Sequence, residues 1–87
     1  MVLAFLRNEL EYSRFGFVVS KRLGKATQRN KLKRRMRELV RVRVPVIKPG
    51  YDIVIIARNR MSQASYLDIE RSLVDLLKTA GLKLDQG

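Results

Sequence analysis

Apolar residues come in short runs whose spacing changes along the chain. Val2 to Leu6 is one such run, and the mostly polar connection Arg7-Asn8-Glu9-Leu10-Glu11 follows it. Arg14 to Ser20 (RFGFVVS) is enriched in aromatic and β-branched residues. Side chains of this kind fit a pleated, half-buried surface, so the pattern predicts two strands joined by a turn. In the second strand a two-residue period places Phe15, Phe17 and Val19 on one face and Gly16, Val18 and Ser20 on the other. The phenylalanine face is expected to meet the core.

The period then lengthens. Lys21 to Ala26 is a basic loop containing Gly24, and Thr27 is placed to cap a helix running to about Arg43. Val44-Pro45 stops that helix, because the residue before proline is pushed out of helical geometry. At about 100° per residue, Leu32, Met36, Leu39 and Val40 fall in one arc, with Asn30, Arg34, Arg37 and Arg41 nearly opposite. Arg29 and Lys33 flank the stripe on one side, Lys31 and Arg35 on the other.

Pro49-Gly50 marks a turn into Tyr51 to Ala57 (YDIVIIA), a near-continuous apolar run that predicts a central strand buried on both faces. Ser65 opens a second helix, with Asp68 at the capping-box spacing in place of the usual Glu or Gln. Tyr66, Ile69, Leu73, Leu76, Leu77 and Ala80 give that helix its apolar face, and Gly81 suits the position just past its end. The order β-β-α-β-α predicts a single α+β domain over residues 1–87, a short mixed sheet with the helices packed on it as a sandwich.

Composition narrows the chemistry. With no cysteine and no histidine, disulfides, Cys/His zinc sites, thiol chemistry and imidazole catalysis are excluded. No apolar stretch approaches the roughly 20 residues that span a bilayer, and Met1 to Leu6 lacks the basic flank of a signal peptide. The expected address is cytoplasmic, with no membrane partner and no small-molecule substrate. The acidic residues are dispersed singly, whereas protein-based phosphodiester hydrolysis wants clustered carboxylates or a histidine pair. No catalytic residue and no metal ligand is assigned to this chain.

Charge is the informative quantity. The segment Arg14 to Arg43 holds 12 of the 19 Lys/Arg and only Glu38 of the 8 acidic residues, so it carries the entire net charge of +11 and the rest of the chain is neutral. A neutral body with one concentrated cationic segment reads as a site for a polyanion. Lysines and arginines neutralise phosphates, and the Gly24 loop with the first helical turn offers backbone N–H groups to another. Asn30 can read a base edge or a 2′-hydroxyl, which a cation cannot. Phe15 and Phe17 suit base stacking or core packing, and Tyr12, Tyr51 and Tyr66 share that ambiguity. Arg58-Asn59-Arg60 reads as a further basic loop, and Asp52 beside the sheet end, a lone carboxylate, makes only a weak case for holding Mg²⁺ through water.

The stretch RFGFVVSKRLGKATQRNKLKRRMRELVR, Arg14 to Arg41, resembles the signature of the bacterial ribonuclease P protein family: a strand, Ser-Lys-Lys/Arg, Gly, Ala, then Arg-Asn-Arg-x-Lys-Arg-x-x-Arg-Glu on a helix. It matches at Ser20, Lys21, Arg22, Gly24, Ala26, Arg29, Asn30, Lys33, Arg34, Arg37 and Glu38. Pro49-Gly50-Tyr51-Asp52-Ile53-Val54 and the closing Leu-Lys-x-Ala-Gly are also similar to the family, so the likeness covers nearly the whole chain. Lys31 departs from the pattern, putting a point charge where a planar bidentate donor is usual.

The resemblance implies an α/β sandwich of the ribosomal-protein-S5-domain-2 type and a protein subunit that assists an RNA enzyme. The RNA subunit would carry the active site and bind most of the Mg²⁺, removing the 5′ leader from precursor tRNA, and both RNAs would be partners. RNA binding falls on Lys21, Arg22, Lys25, Arg29, Asn30, Lys31, Lys33, Arg34, Arg37 and Arg41; a leader cleft falls on Phe5, Phe15, Phe17 and Tyr51. Family members carry a helix before the first strand that helps line that cleft, and here Met1 leads straight into the strand, so a truncated start or an absent helix is expected. Two other readings stay open on the residues alone: a ribosomal or chaperone-like RNA-binding module, and a basic helix entering a DNA major groove.

Overall fold

A computed structural model describes residues 1–58 and 65–84. Three strands, β1 (Val2–Arg7), β2 (Arg14–Val19) and β3 (Tyr51–Ala57), and two helices, α1 (Ala26–Arg41) and α2 (Tyr66–Thr79), follow one another in the predicted β-β-α-β-α order, with short 3₁₀ turns at Lys21–Leu23 and Val44–Val46. The sheet order is β1-β3-β2. β3, the most apolar strand, is central as its sequence predicts; β1 pairs with it antiparallel and β2 parallel. The strands joined by the first connection are therefore not neighbours, since β3 lies between them.

That wide connection is tied down at the entry to β3. The Asn8 backbone N–H donates to the Gly50 carbonyl at 2.8 Å, the Ser13 hydroxyl donates to the Lys48 carbonyl at 2.8 Å, and the Tyr51 N–H donates to Ser13 Oγ at 3.0 Å. Arg14 grips the Asp52 carboxylate with two bonds, Nε at 2.8 Å and Nη2 at 2.6 Å. Asn8 Nδ2 donates to the same carboxylate at 2.9 Å.

One hydrophobic cluster holds the fold. Leu32, Met36, Leu39 and Val40, the stripe read from sequence, pack with Ile53, Ile55 and Ala57 of β3 and with Ile69, Leu73 and Leu77 of α2. Leu23, Ile47 and Leu82 close its margins. Met36, Ile55, Ile69 and Leu73 are fully buried, and removing one such side chain typically costs about 2–5 kcal/mol.

Four expectations are corrected. β3 is buried on one face only: Val54 is 37% exposed, because both helices pack on the odd-numbered side. Tyr66, expected inside, is 48% exposed; it is the first residue of α2, and the buried stripe starts one turn later at Ile69. α1 begins before Thr27, with Lys25 at the cap position, because the Gln28 side chain reaches back to accept from the Lys25 N–H at 3.1 Å. α1 also ends at Arg41, and Val42-Arg43 turn into the proline-containing 3₁₀ segment. The α2 start is as read: Ser65 Oγ accepts from the Asp68 N–H at 3.2 Å, and Asp68 Oδ2 accepts from the Ser65 N–H at 3.3 Å.

Candidate nucleic-acid interface

α1 presents its cations because its apolar stripe is taken by the core. Asn30, Lys31, Arg34, Arg37 and Arg41 are exposed, while Arg29, Lys33 and Arg35 are half-buried at the stripe's margins. Among the described residues only Arg41 of this group has an acidic partner, Glu38 at 3.2 Å, and both groups are well exposed. Such a pair on a wet helix surface holds little. The helix face thus carries a row of cations that nothing in the described fold neutralises.

The start of α1 extends that surface. Lys21 and Arg22 sit on the 3₁₀ turn, where Ser20 Oγ accepts from the Arg22 N–H at 3.2 Å. Gly24 follows at φ 129°, a conformation open to glycine and strained for other residues. A Cβ there would lie 2.1 Å from Gln28 Oε1, so the glycine also makes room for the Gln28–Lys25 closure. No acidic residue stands in the first turn of α1, which leaves the positive end of the helix dipole uncompensated beside Lys25. Arg29 Nε is buried without a hydrogen-bond partner among the described residues.

The sheet contributes a second surface. Among the described residues no helix packs on its even-numbered face, and the register lays down rows across it: Val2–Ile56–Val18, Ala4–Val54–Gly16 and Leu6–Asp52–Arg14. Leu6 is 74% exposed. At the end of β2 and β3 a pocket of about 390 Å³ has Val18 and Ile56 as apolar walls and Arg22, Arg58 and Ser20 as polar ones. In sequence Arg58 belongs to a loop 36 positions from Arg22; the parallel pairing of β2 with β3 brings the ends of those strands, and these two arginines, to one pocket. Asn59 and Arg60 lie outside the described residues.

The aromatic candidates occupy the other, helix-bearing side. Phe5 and Tyr51 meet edge to face, centroids 5.9 Å apart. Phe15 and Phe17 are packed partly buried against the core, and the Arg37 guanidinium lies 6.0 Å from the Phe17 ring centre. Tyr12 stands exposed in the first connection. The carboxylate of Asp52 is engaged by Arg14 and Asn8, and those hydrogen bonds pull its pKa down to about 2. The same contact raises Arg14. Among the described residues no group of three acidic side chains could hold a metal ion, and no helix is long and apolar enough to cross a membrane.

A small α+β domain with a one-sided cationic helix and an adjoining basic turn belongs to the class of domains built to receive a polyanion. The Ribonuclease P family model matches residues 1–81. The chain is 41% identical over 85 residues to the ribonuclease P protein component of Clostridioides difficile, covering 97% of this chain and 75% of that one. It is 46% identical over 81 residues to that of Thermotoga petrophila, covering 88% and 69%. Among solved structures, the RNase P protein of Thermotoga maritima in complex with 1-(4-fluorophenyl)-2-thiourea superposes with a TM-score of 0.81 at 44% identity, covering 87% and 75% of the two chains. The Staphylococcus aureus RNase P protein superposes with a TM-score of 0.85 at 38% identity, covering 93% and 74%. The chain belongs to the ribonuclease P protein family. Its role is that of a protein subunit of this tRNA-processing ribonucleoprotein, with an RNA partner.

Proposed function

We propose that the basic face of α1 binds the ribonuclease P RNA and that the adjoining turn, with the neighbouring sheet surface, receives the 5′ leader of precursor tRNA. The observation that carries the reading is the unpaired cation row of α1 continuing into Lys21, Arg22 and Lys25. Lys31, Lys33, Arg34, Arg37 and Arg41 neutralise backbone phosphates, and each contact releases counterions. Arg29 and Asn30, on the first turns of α1, are placed to fix register through a guanidinium fork and an amide. Arg22 and Arg58 stand at the other end, beside the apolar pocket walls.

The chain's part in cleavage is electrostatic. Two RNAs repel one another, and a cationic domain between them screens that repulsion and aligns the leader. Mg²⁺ supplies the hydrolytic chemistry when bound by the RNA subunit. The test is cleavage of a precursor tRNA by a bacterial ribonuclease P RNA at low Mg²⁺, with and without this chain. Cleavage at the mature 5′ end only when the chain is present supports the reading. Cleavage unchanged by the chain refutes it.

A further inference from the structure

Arg43 belongs to the cationic segment in sequence but not in space. Its side chain is 22% exposed, and Nη2 donates to Glu70 of α2 at 2.5 Å, a carboxylate itself 32% exposed. Arg43 Nη1 donates to the Leu39 carbonyl at 2.9 Å. That carbonyl needs a partner, because the Arg43 backbone N–H turns back to Val40 at 2.9 Å and closes α1 one residue short. The Arg43 carbonyl then accepts from the Val46 N–H at 2.9 Å and starts the 3₁₀ turn. One residue therefore ends α1, directs the chain away from it and joins it to α2. Glu70 stands next to Ile69 and three residues before Leu73, both fully buried, so the anchor is fixed to the core.

From this geometry we infer that the Arg43–Glu70 pair is a latch that sets the pose of α1, making Arg43 a positioning residue for RNA binding and not an RNA contact. The inference rests on the proposed RNA-binding role of α1. α1 has 16 residues and so is roughly 24 Å long, and a tilt of about 10° at the latched end moves the other end by about 4 Å. That exceeds the tolerance of a hydrogen bond to phosphate. With the latch intact the cations are held in one array before RNA arrives, and the ordering cost is not charged to binding.

Glu70→Gln separates this from a pure charge effect. The substitution removes a negative charge from a cationic protein, so net charge alone predicts equal or tighter binding to ribonuclease P RNA. The latch predicts roughly three- to tenfold weaker binding, with an unchanged dependence of log K on log salt. Arg43→Met should weaken binding by a similar factor, again without changing the slope, and the double variant should be no worse than either single one. Arg43→Lys keeps the charge and loses the two-way fork, and it too should bind more weakly. Circular dichroism at the assay temperature verifies that each variant is folded, and Arg43→Lys, the mildest change, carries the test if the others are not. Equal or tighter binding by Glu70→Gln, or a slope reduced by about one in Arg43→Met alone, overturns the inference. Failure of the unaltered chain to bind overturns the RNA-binding reading itself.

Discussion

The guanidinium of Arg37 lies over the ring of Phe17, 6.0 Å from its centre. This links an exposed cation of α1 to a half-buried aromatic on β2 and gives Phe17 a part that neither base stacking nor core packing describes. A guanidinium over an aromatic face gains about 0.5–1 kcal/mol at an exposed site. Phe17→Leu, which keeps apolar volume, should therefore weaken RNA binding by about two- to fivefold. Phe15→Leu, which touches no cation among the described contacts, should leave binding unchanged. Titration of both variants against ribonuclease P RNA decides it, and equal losses would assign the effect to packing.

Changing Arg34 and Arg37 together to alanine tests the exposed row directly. Neither has an acidic partner among the described residues, so stability should fall by no more than about 1 kcal/mol, the share of the Arg37–Phe17 contact. The slope of log K against log salt should fall by up to roughly 1.8, the share of two phosphate contacts. Binding isotherms at several salt concentrations measure it. An unchanged slope would place the RNA on another face.

Asp52 makes acid stability measurable. Hydrogen bonds from Arg14 and then Asn8 hold its carboxyl at about 2, below the ordinary 3.8. The folded state thus releases this proton more readily than the unfolded chain. The stabilisation is complete above about pH 4 and is lost as pH falls through the interval from about 4 to about 2. Asp52→Asn does not titrate there, so its stability deficit at neutral pH should shrink across that interval. Urea unfolding of both proteins at a series of pH values follows the convergence, and parallel curves would dismiss the ion pair as a contributor.

Gly24→Ala should loosen the start of α1. The new Cβ would drive Gln28 Oε1 off the Lys25 N–H, and the positive φ adds strain, together costing roughly 1–3 kcal/mol. Thermal unfolding reports the loss, and hydrogen exchange at Lys25 should quicken out of proportion to the rest of α1. Gln28→Ala should reproduce the local opening without the backbone strain.

Much of this architecture was legible because the signals were local. The Leu32-Met36-Leu39-Val40 stripe, the Ser65–Asp68 box and the central place of β3 follow from spacing and side-chain chemistry within a few residues. The one-sided burial of β3 did not, since Ile and Val run through both of its faces and only the placement of two helices on one side decides between them. The concentration of charge was visible, but sequence treats all 12 cations of the segment alike. Arg43 and Arg14 are used inside the fold, gripped by Glu70 and Asp52, residues 27 and 38 positions away. The nearness of Arg22 to Arg58 came from parallel strand pairing, which no short-range pattern encodes. Asn30 and its neighbours stand out in sequence by the motif they form, and the fold adds that they project from the side of α1 left free by the core.

The position of β3 late in the chain governs the order in which the sheet can exist. β1 and β2 each take their hydrogen bonds from β3 and none from each other, so Arg7 must wait for Tyr51 and Arg14 for Asp52. Until residue 57 has left the ribosome, half of the nascent chain holds two strands with no partner and a cationic helix with no core beneath its stripe. The polyanion-binding segment is thus synthesised before the surface that orients it, and the domain is complete only when α2, later still, adds Ile69, Leu73 and Leu77 to the core.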